Sequence, residues 1–72
     1  MPKLLDQHGP YRDMDADVYV LVFEVDGHIY TKKAVISGCA KAVGVNIKTE
    51  LAYQIVKSGR ELERDINARP RD

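Results

Sequence analysis

The sequence predicts an α+β fold, in which a β-hairpin at about residues 17–36 packs on a short helix and on a longer C-terminal helix. β-Branched and aromatic residues fill the run from Val18 to Val25, as is typical of strands. Asp26-Gly27 follows directly, and this pair is a strong hairpin-turn signal. From Ile47 onward the apolar residues recur at helical spacing. Strands followed by helices indicate the α+β class.

The two-residue turn sets the register of the hairpin, with strands at about residues 17–25 and 28–36 and Val25 facing His28. The first strand is apolar on both faces, and such a strand is normally covered on both. Because one helical layer covers one face only, the other face or the free edge of this strand needs a partner. We therefore expect a homodimer that completes the fold and has an interface formed by Val18, Val20 and Val22.

Two helices are predicted after the hairpin. Ser37 is a suitable N-cap for a short helix over residues 38–43, and Gly44 is a suitable stop. A longer amphipathic helix begins at about residue 47. Because Gly59 costs about 1 kcal/mol relative to alanine inside a helix, we expect a bend or an end there, or the close approach of another backbone. The predicted core is Leu21, Phe23, Val25, Val43, Leu51, Ile55 and Leu62, with Ile36 in a second layer.

Length and composition limit the number of domains that the chain can form. Seventy-two residues allow one domain with a small core, and we assign residues 17–68 to it. We assign residues 1–16 to an irregular acidic arm and residues 69–72 to a frayed tail. No apolar stretch reaches the length of a membrane span or of a signal region, so we expect a cytoplasmic protein with no membrane partner.

Charge is distributed unevenly along the chain, although the net charge is zero. Residues 1–30 carry two basic and six acidic side chains, whereas residues 31–72 carry nine basic and five acidic ones. The basic half suits an anionic partner such as nucleic acid. Alternatively, the two halves attract each other in the fold or across a dimer. The alternating charges of residues 60–65 indicate a solvated, salt-bridged helix face.

No catalytic, metal or cofactor site is predicted, and we expect a protein that is not an enzyme. Cys39 is the only cysteine, which excludes an intramolecular disulfide, and no zinc-ligand spacing is present. We interpret Cys39 as a small buried apolar residue. The alternative is a nucleophilic Cys39 paired with His28, since the hairpin returns toward the helix.

The segment from Cys39 to Ile47 resembles the first helix and turn of a helix-turn-helix motif. Ala40 permits close helix crossing, and Gly44, four residues later, makes the turn. The chain departs from the motif six residues after Gly44, where an apolar residue is usual and Glu50 is present. The resemblance implies that the following helix reads nucleic acid. Its contact residues would be Lys48, Thr49, Tyr53, Gln54, Lys57 and Arg60.

Two functional classes follow from these observations. The first is a small regulatory protein of the transcription-controlling kind, which binds DNA or another nucleic acid as a dimer through its basic C-terminal helical half. The alternative is a protein-binding inhibitor or adaptor, of bacterial or phage type, that uses the hairpin edge and the acidic arm. In a third interpretation, the two helices only form part of the hydrophobic core and do not bind nucleic acid.

Overall fold

Three antiparallel strands and two helices make up the computed structural model, which describes residues 2–68. The strands β1 (Lys3–Asp13), β2 (Ala16–Val25) and β3 (His28–Ile36) form one sheet in the order β1-β2-β3. The helices α1 (Gly38–Ala42) and α2 (Ile47–Ala68) follow. The predicted α+β class, with a hairpin, a short helix and a longer C-terminal helix, is confirmed.

The hairpin of β2 and β3 has the predicted register, in which Val25 pairs with His28. At its turn, Asp26 and Gly27 have φ angles of 52° and 81°. These left-handed conformations match the right-handed twist of the flanking strands, and they suit aspartate and glycine. The local sequence of the turn therefore determines the pairing of the two strands.

Residues 3–13 form a strand, so the prediction of an irregular arm is wrong over this range. β1 pairs with β2 and changes register twice, between Leu4 and Asp6 and between His8 and Tyr11. At each change β1 contains one extra residue, so the side chains that follow point to the opposite face from the one that strict alternation predicts. The strand therefore shows no regular period of two in the sequence. β1 also occupies the edge of β2 that we expected to be free. The predicted frayed tail, residues 69–72, lies outside the described residues.

The core lies between one face of the sheet and α2. Its buried members are Tyr19, Leu21, Phe23, Val25, Ala34, Ile36 and Leu62, and alternate residues of β2 account for four of them. The predicted core residues Leu51 and Ile55 are half-buried and pack against this cluster. Ile36 is only 1% exposed, so it belongs to the core rather than to a second layer.

Val43 is 80% exposed, so its predicted place in the core is wrong. Ser37 caps α1 as predicted, because its Oγ accepts a hydrogen bond from the Ala40 N–H at 3.1 Å. The helix already ends at Ala42, and Val43 is its C-cap. Gly44 follows with a φ of 84° and reverses the chain. Val43 therefore belongs to a cap and not to a buried helix face.

α2 starts with a second side-chain cap, since Asn46 Oδ1 accepts a hydrogen bond from the Thr49 N–H at 3.1 Å. The helix then continues through Gly59 to Ala68. Of the three alternatives expected at Gly59, an end of the helix is therefore wrong. Its apolar stripe faces the sheet over its whole length, from Leu51 to Ile66.

Candidate nucleic-acid interface

The face of α2 opposite the core carries a continuous surface. It is formed by residues at spacings of three and four, which lie on one side of a helix. On the other side of the helix, Ser58 and Leu62 are buried. The solvent-facing surface consists of Tyr53, Val56, Lys57, Arg60, Glu61 and Arg64. A regular helix thus holds these side chains, and their spacing is set by its geometry.

Three members of this surface are cations, and we call Lys57, Arg60 and Arg64 the cationic stripe. Within residues 2–68 no carboxylate lies within 4.0 Å of their charged groups. Tyr53, at one end of the surface, is 59% exposed. Solvated cations beside an exposed aromatic ring are the side chains that hold phosphates and stack on bases.

Half of the sequence-predicted contact residues share this surface. Tyr53, Lys57 and Arg60 line it together. Thr49 lies one helical turn before Tyr53 on the same side of α2, beyond the N-terminal end of the surface. It is exposed, and its backbone N–H is used by the helix cap.

The other two predicted contact residues do not join the surface. Gln54 is half-buried, and its Nε2 donates a hydrogen bond to Glu50 Oε1 at 3.2 Å. Lys48 lies five positions before Tyr53, which places it about 140° away around the helix axis. Neither side chain therefore belongs to the cationic stripe.

Sequence reasoning missed Arg64. We had expected its neighbours to pair with it on a salt-bridged face, but Asp65 Oδ2 lies 3.7 Å from Lys32 Nζ of β3 instead. The spacing of Arg64 carried the signal, because it follows Arg60 by four positions and Lys57 by seven. Their positions around a helix, rather than the alternation of charge along the sequence, indicate that these three cations share one side of α2.

The helix-turn-helix resemblance extends to the order of the elements and no further. The helices α1 and α2 flank a turn at Gly44, as the motif requires. However, α1 has only 5 residues, and Val43 is exposed instead of packing between the helices. The cationic stripe also runs from the middle of α2 toward its C-terminus. The cations therefore lie along the side of α2 and not at its N-terminus, where the motif places its base contacts.

The structure separates the two residues of the alternative catalytic pair. His28 begins β3 and Cys39 follows its end, so about 26 Å of extended strand lies between them. Cys39 is also exposed, so its interpretation as a buried apolar residue is wrong. No proton transfer between these side chains is possible in this fold.

The other predicted surfaces lie on the sheet. Val18, Val20 and Val22 are half-buried on the face that α2 does not cover. Their role at a dimer interface stays a prediction. The protein-binding alternative keeps one hairpin edge, the outer edge of β3, because β1 pairs with β2 along the other edge. It stays a prediction.

Comparisons with protein-family models, with curated proteins and with solved structures found no match. Among residues 2–68, no group of three or more His, Cys, Asp or Glu side chains is placed to hold a metal ion. No helix of the described chain is long and apolar enough to cross a membrane.

Proposed function

We propose that this protein is a small, non-enzymatic nucleic-acid-binding protein with a regulatory role, and that the outer face of α2 contacts the phosphate backbone. The observation that carries the proposal is the cationic stripe, in which Lys57, Arg60 and Arg64 point to solvent from one side of a helix. Tyr53 adds a ring that can stack on a base or donate to a phosphate.

The dimensions of the stripe suit a nucleic acid. Lys57 and Arg64 are seven residues apart, which corresponds to about 10 Å along the helix axis. Duplex DNA carries one charge per about 1.7 Å of its axis, so several phosphates lie within that length. Three cations can thus engage different phosphates at once, and the lone Glu61 at the border leaves the surface with a positive excess.

Fluorescence anisotropy of a labelled DNA duplex, titrated with the protein at several salt concentrations, tests the proposal. We expect affinity to fall steeply with salt, because binding releases counterions. Lys57→Ala, Arg60→Ala and Arg64→Ala should each weaken binding and reduce the slope of log K against log salt by about 0.9. Lys48→Ala is the matched control, because it removes the same charge from the same helix about 140° away from Tyr53.

Two results would overturn the proposal. One is the absence of binding to duplex and single-stranded DNA and to RNA at low salt, which would leave a protein partner as the leading hypothesis. The other is wild-type affinity in the triple variant of the cationic stripe, which would mean that another surface binds. Equal losses in Lys48→Ala and Lys57→Ala would also contradict it, since only total charge would then matter.

A further inference from the structure

A groove lies between the start of β1 and α2, and we call it the inner groove. Leu4 pairs with Phe23, so both side chains lie on the sheet face that α2 covers. The helix packs mainly against β3, which leaves Leu4 36% exposed at the opposite side of the sheet. The gap has a volume of about 320 Å³, which lies at the lower end of the range of small-molecule sites.

The lining of this groove is apolar apart from one side chain. Its apolar members come from both the sheet and the helix, and they are Pro2, Leu4, Phe23, Ile55, Val56 and Gly59. Among the described residues 2–68, the charged member of the lining is Arg60 alone. Arg60 is exposed, which places its guanidinium at the mouth of the groove and not on its floor. No carboxylate of the described chain lies within 4.0 Å of this guanidinium, so it is available to an anionic ligand.

The lack of a side chain at Gly59 keeps the groove open. A Cβ built on Gly59 would lie 3.7 Å from Phe23 Cε1 and 4.0 Å from Pro2 Cβ, and all three residues line the groove. These are ordinary contact distances, so a carbon atom fits between the helix backbone and the Phe23 ring. The space that would accept the methyl group of an alanine therefore also accepts a methylene group of a ligand.

Val56 and Arg60 form the ridge between the inner groove and the outer face of α2, because both residues line both surfaces. They are four positions apart and are therefore neighbours on the helix. Arg60 thus belongs both to the cationic stripe and to the rim of the groove. An anion that binds its guanidinium from the groove competes with a phosphate that approaches from the other side.

Two further charges lie near the groove, and neither lines it. Lys3 pairs with Glu24, so its side chain points away from the sheet face that carries Leu4. Glu63 follows Arg60 by three positions and lies about one helical turn beyond the groove. Arg60 therefore determines the preferred charge of a ligand. Because one guanidinium binds a carboxylate through two parallel hydrogen bonds, a ligand with a single carboxylate matches it.

We propose that the inner groove binds a small carboxylic acid with an apolar body, and that this ligand lowers the affinity of the protein for nucleic acid. The apolar body lies between Leu4 and Gly59 over the Phe23 ring, and the carboxylate accepts hydrogen bonds from Arg60. The second part rests on the proposed function of the cationic stripe. A bound carboxylate neutralises Arg60 and removes one phosphate contact, and by reciprocity bound nucleic acid weakens the ligand by the same factor.

Titration of the isotope-labelled protein with octanoate, followed through its amide signals by NMR, tests the groove without nucleic acid. We expect saturable shifts of the Leu4, Phe23 and Gly59 amides. The dissociation constant should be in the millimolar range, which is ordinary for about ten non-hydrogen atoms. Arg60→Gln should weaken octanoate about fivefold, because it removes an exposed charge pair, and should leave the binding of uncharged octanol unchanged. Acetate, which has the charge without the chain, should not shift these amides.

Two substitutions on α2 separate the groove from general effects on the fold. Gly59→Ala places a methyl group on the groove floor and should weaken octanoate about threefold, the effect of displacing one methylene group. Because this variant should also be more stable, unfolding cannot cause that loss. Val56→Glu places a carboxylate one turn before Arg60, where it pairs with the guanidinium in place of the ligand. It should weaken octanoate more than Val56→Gln, which has the same shape without the charge.

Anisotropy titrations of a DNA duplex at constant ionic strength test the regulatory part. Saturating octanoate should raise the dissociation constant of the wild type about as much as Arg60→Gln does, and it should reduce the salt slope by about 0.9. It should have no further effect on Arg60→Gln, and acetate at the same concentration should have none on the wild type.

The possible failures are distinguishable. Amide signals of the groove that octanoate leaves unchanged would overturn the binding site, as would wild-type affinity for octanoate in both Gly59→Ala and Arg60→Gln. Octanoate binding that leaves the DNA affinity unchanged would overturn the regulatory part. Octanoate binding by a protein that binds no nucleic acid would contradict the proposed function of the cationic stripe, and with it the regulatory part, and would support the groove alone.

Discussion

Gly59 of α2 lies against the ring of Phe23 of β2 with room for one more carbon between them. A Cβ built on Gly59 would lie 3.7 Å from Phe23 Cε1 and 4.0 Å from Pro2 Cβ, both ordinary van der Waals contacts. The glycine is thus a helix residue at a close crossing over the sheet, not a helix end. The crossing itself does not require glycine.

Gly59→Ala should therefore stabilise the protein. Alanine is favoured over glycine in a helix interior by about 1 kcal/mol, and the new methyl group fills space beside Phe23 without displacing it. We expect the free energy of unfolding to rise by about 1 kcal/mol in a urea titration followed by circular dichroism. A loss of stability would show that the helix and sheet cannot accept this methyl group.

Gly44→Ala is the matched control for that substitution. Nothing lies within 4 Å of a Cβ on Gly44, but its φ is 84°. The new side chain would meet no neighbour and would still be strained by the left-handed backbone. We expect Gly44→Ala to lower the free energy of unfolding by about 1 kcal/mol, opposite in sign to Gly59→Ala.

Lys41 and Asp17 join α1 to the start of β2. Lys41 Nζ donates to Asp17 Oδ1 at 3.2 Å, and the two side chains are only 22% and 14% exposed. Lys41→Met keeps the aliphatic stem but leaves Asp17 with a longer contact of 3.8 Å to Arg12. We expect a loss of about 1–2 kcal/mol in urea unfolding, because a shielded carboxylate loses its main partner.

The control for that pair is Lys32→Met. Lys32 Nζ lies 3.7 Å from Asp65 Oδ2, and Asp65 is 66% exposed. Water can solvate Asp65 when its partner is removed, so the loss should be below about 0.5 kcal/mol. Equal losses in Lys41→Met and Lys32→Met would contradict the importance of the α1–β2 contact.

β1 should depend strongly on Gly9. This residue has a φ of 117°, and a Cβ there would lie 2.7 Å from the carbonyl oxygen of Val18. Because backbone cannot move aside as a side chain can, Gly9→Ala should cost about 2–3 kcal/mol and expose the amides of β1 to hydrogen exchange. Gly38→Ala is the comparison, since its Cβ would meet the exposed residue Asp15, whose carboxylate can rotate away but whose Cβ, at 2.9 Å, requires a small shift of the β1–β2 turn; we expect a smaller loss than for Gly9→Ala.

Local signals predicted the hairpin and the helices well. The turn at Asp26-Gly27 fixed the register because both of its residues accept a positive φ, and Ser37 fixed the start of α1 through its side chain. These features depend on neighbours in sequence. That dependence explains why they were predictable from one chain.

The features that were missed depend on distant contacts. β1 has two extra residues that break its alternation, so only its pairing with β2 makes it a strand. Tyr19 and Ala34, neither of which was predicted in the core, are buried because they pair across the hairpin on the face that α2 covers. The cationic stripe requires that α2 continue through Gly59, where we had left open whether the helix ends.

Cys39 should behave as a free surface thiol. It is exposed in α1, and its backbone carbonyl, not its side chain, takes part in the cap by accepting the Val43 N–H at 3.2 Å. Cys39→Ser should therefore change the free energy of unfolding by less than about 0.5 kcal/mol. An aromatic disulfide reagent should label the native protein about as fast as the urea-unfolded chain. Labelling that requires unfolding would show that Cys39 is shielded in solution.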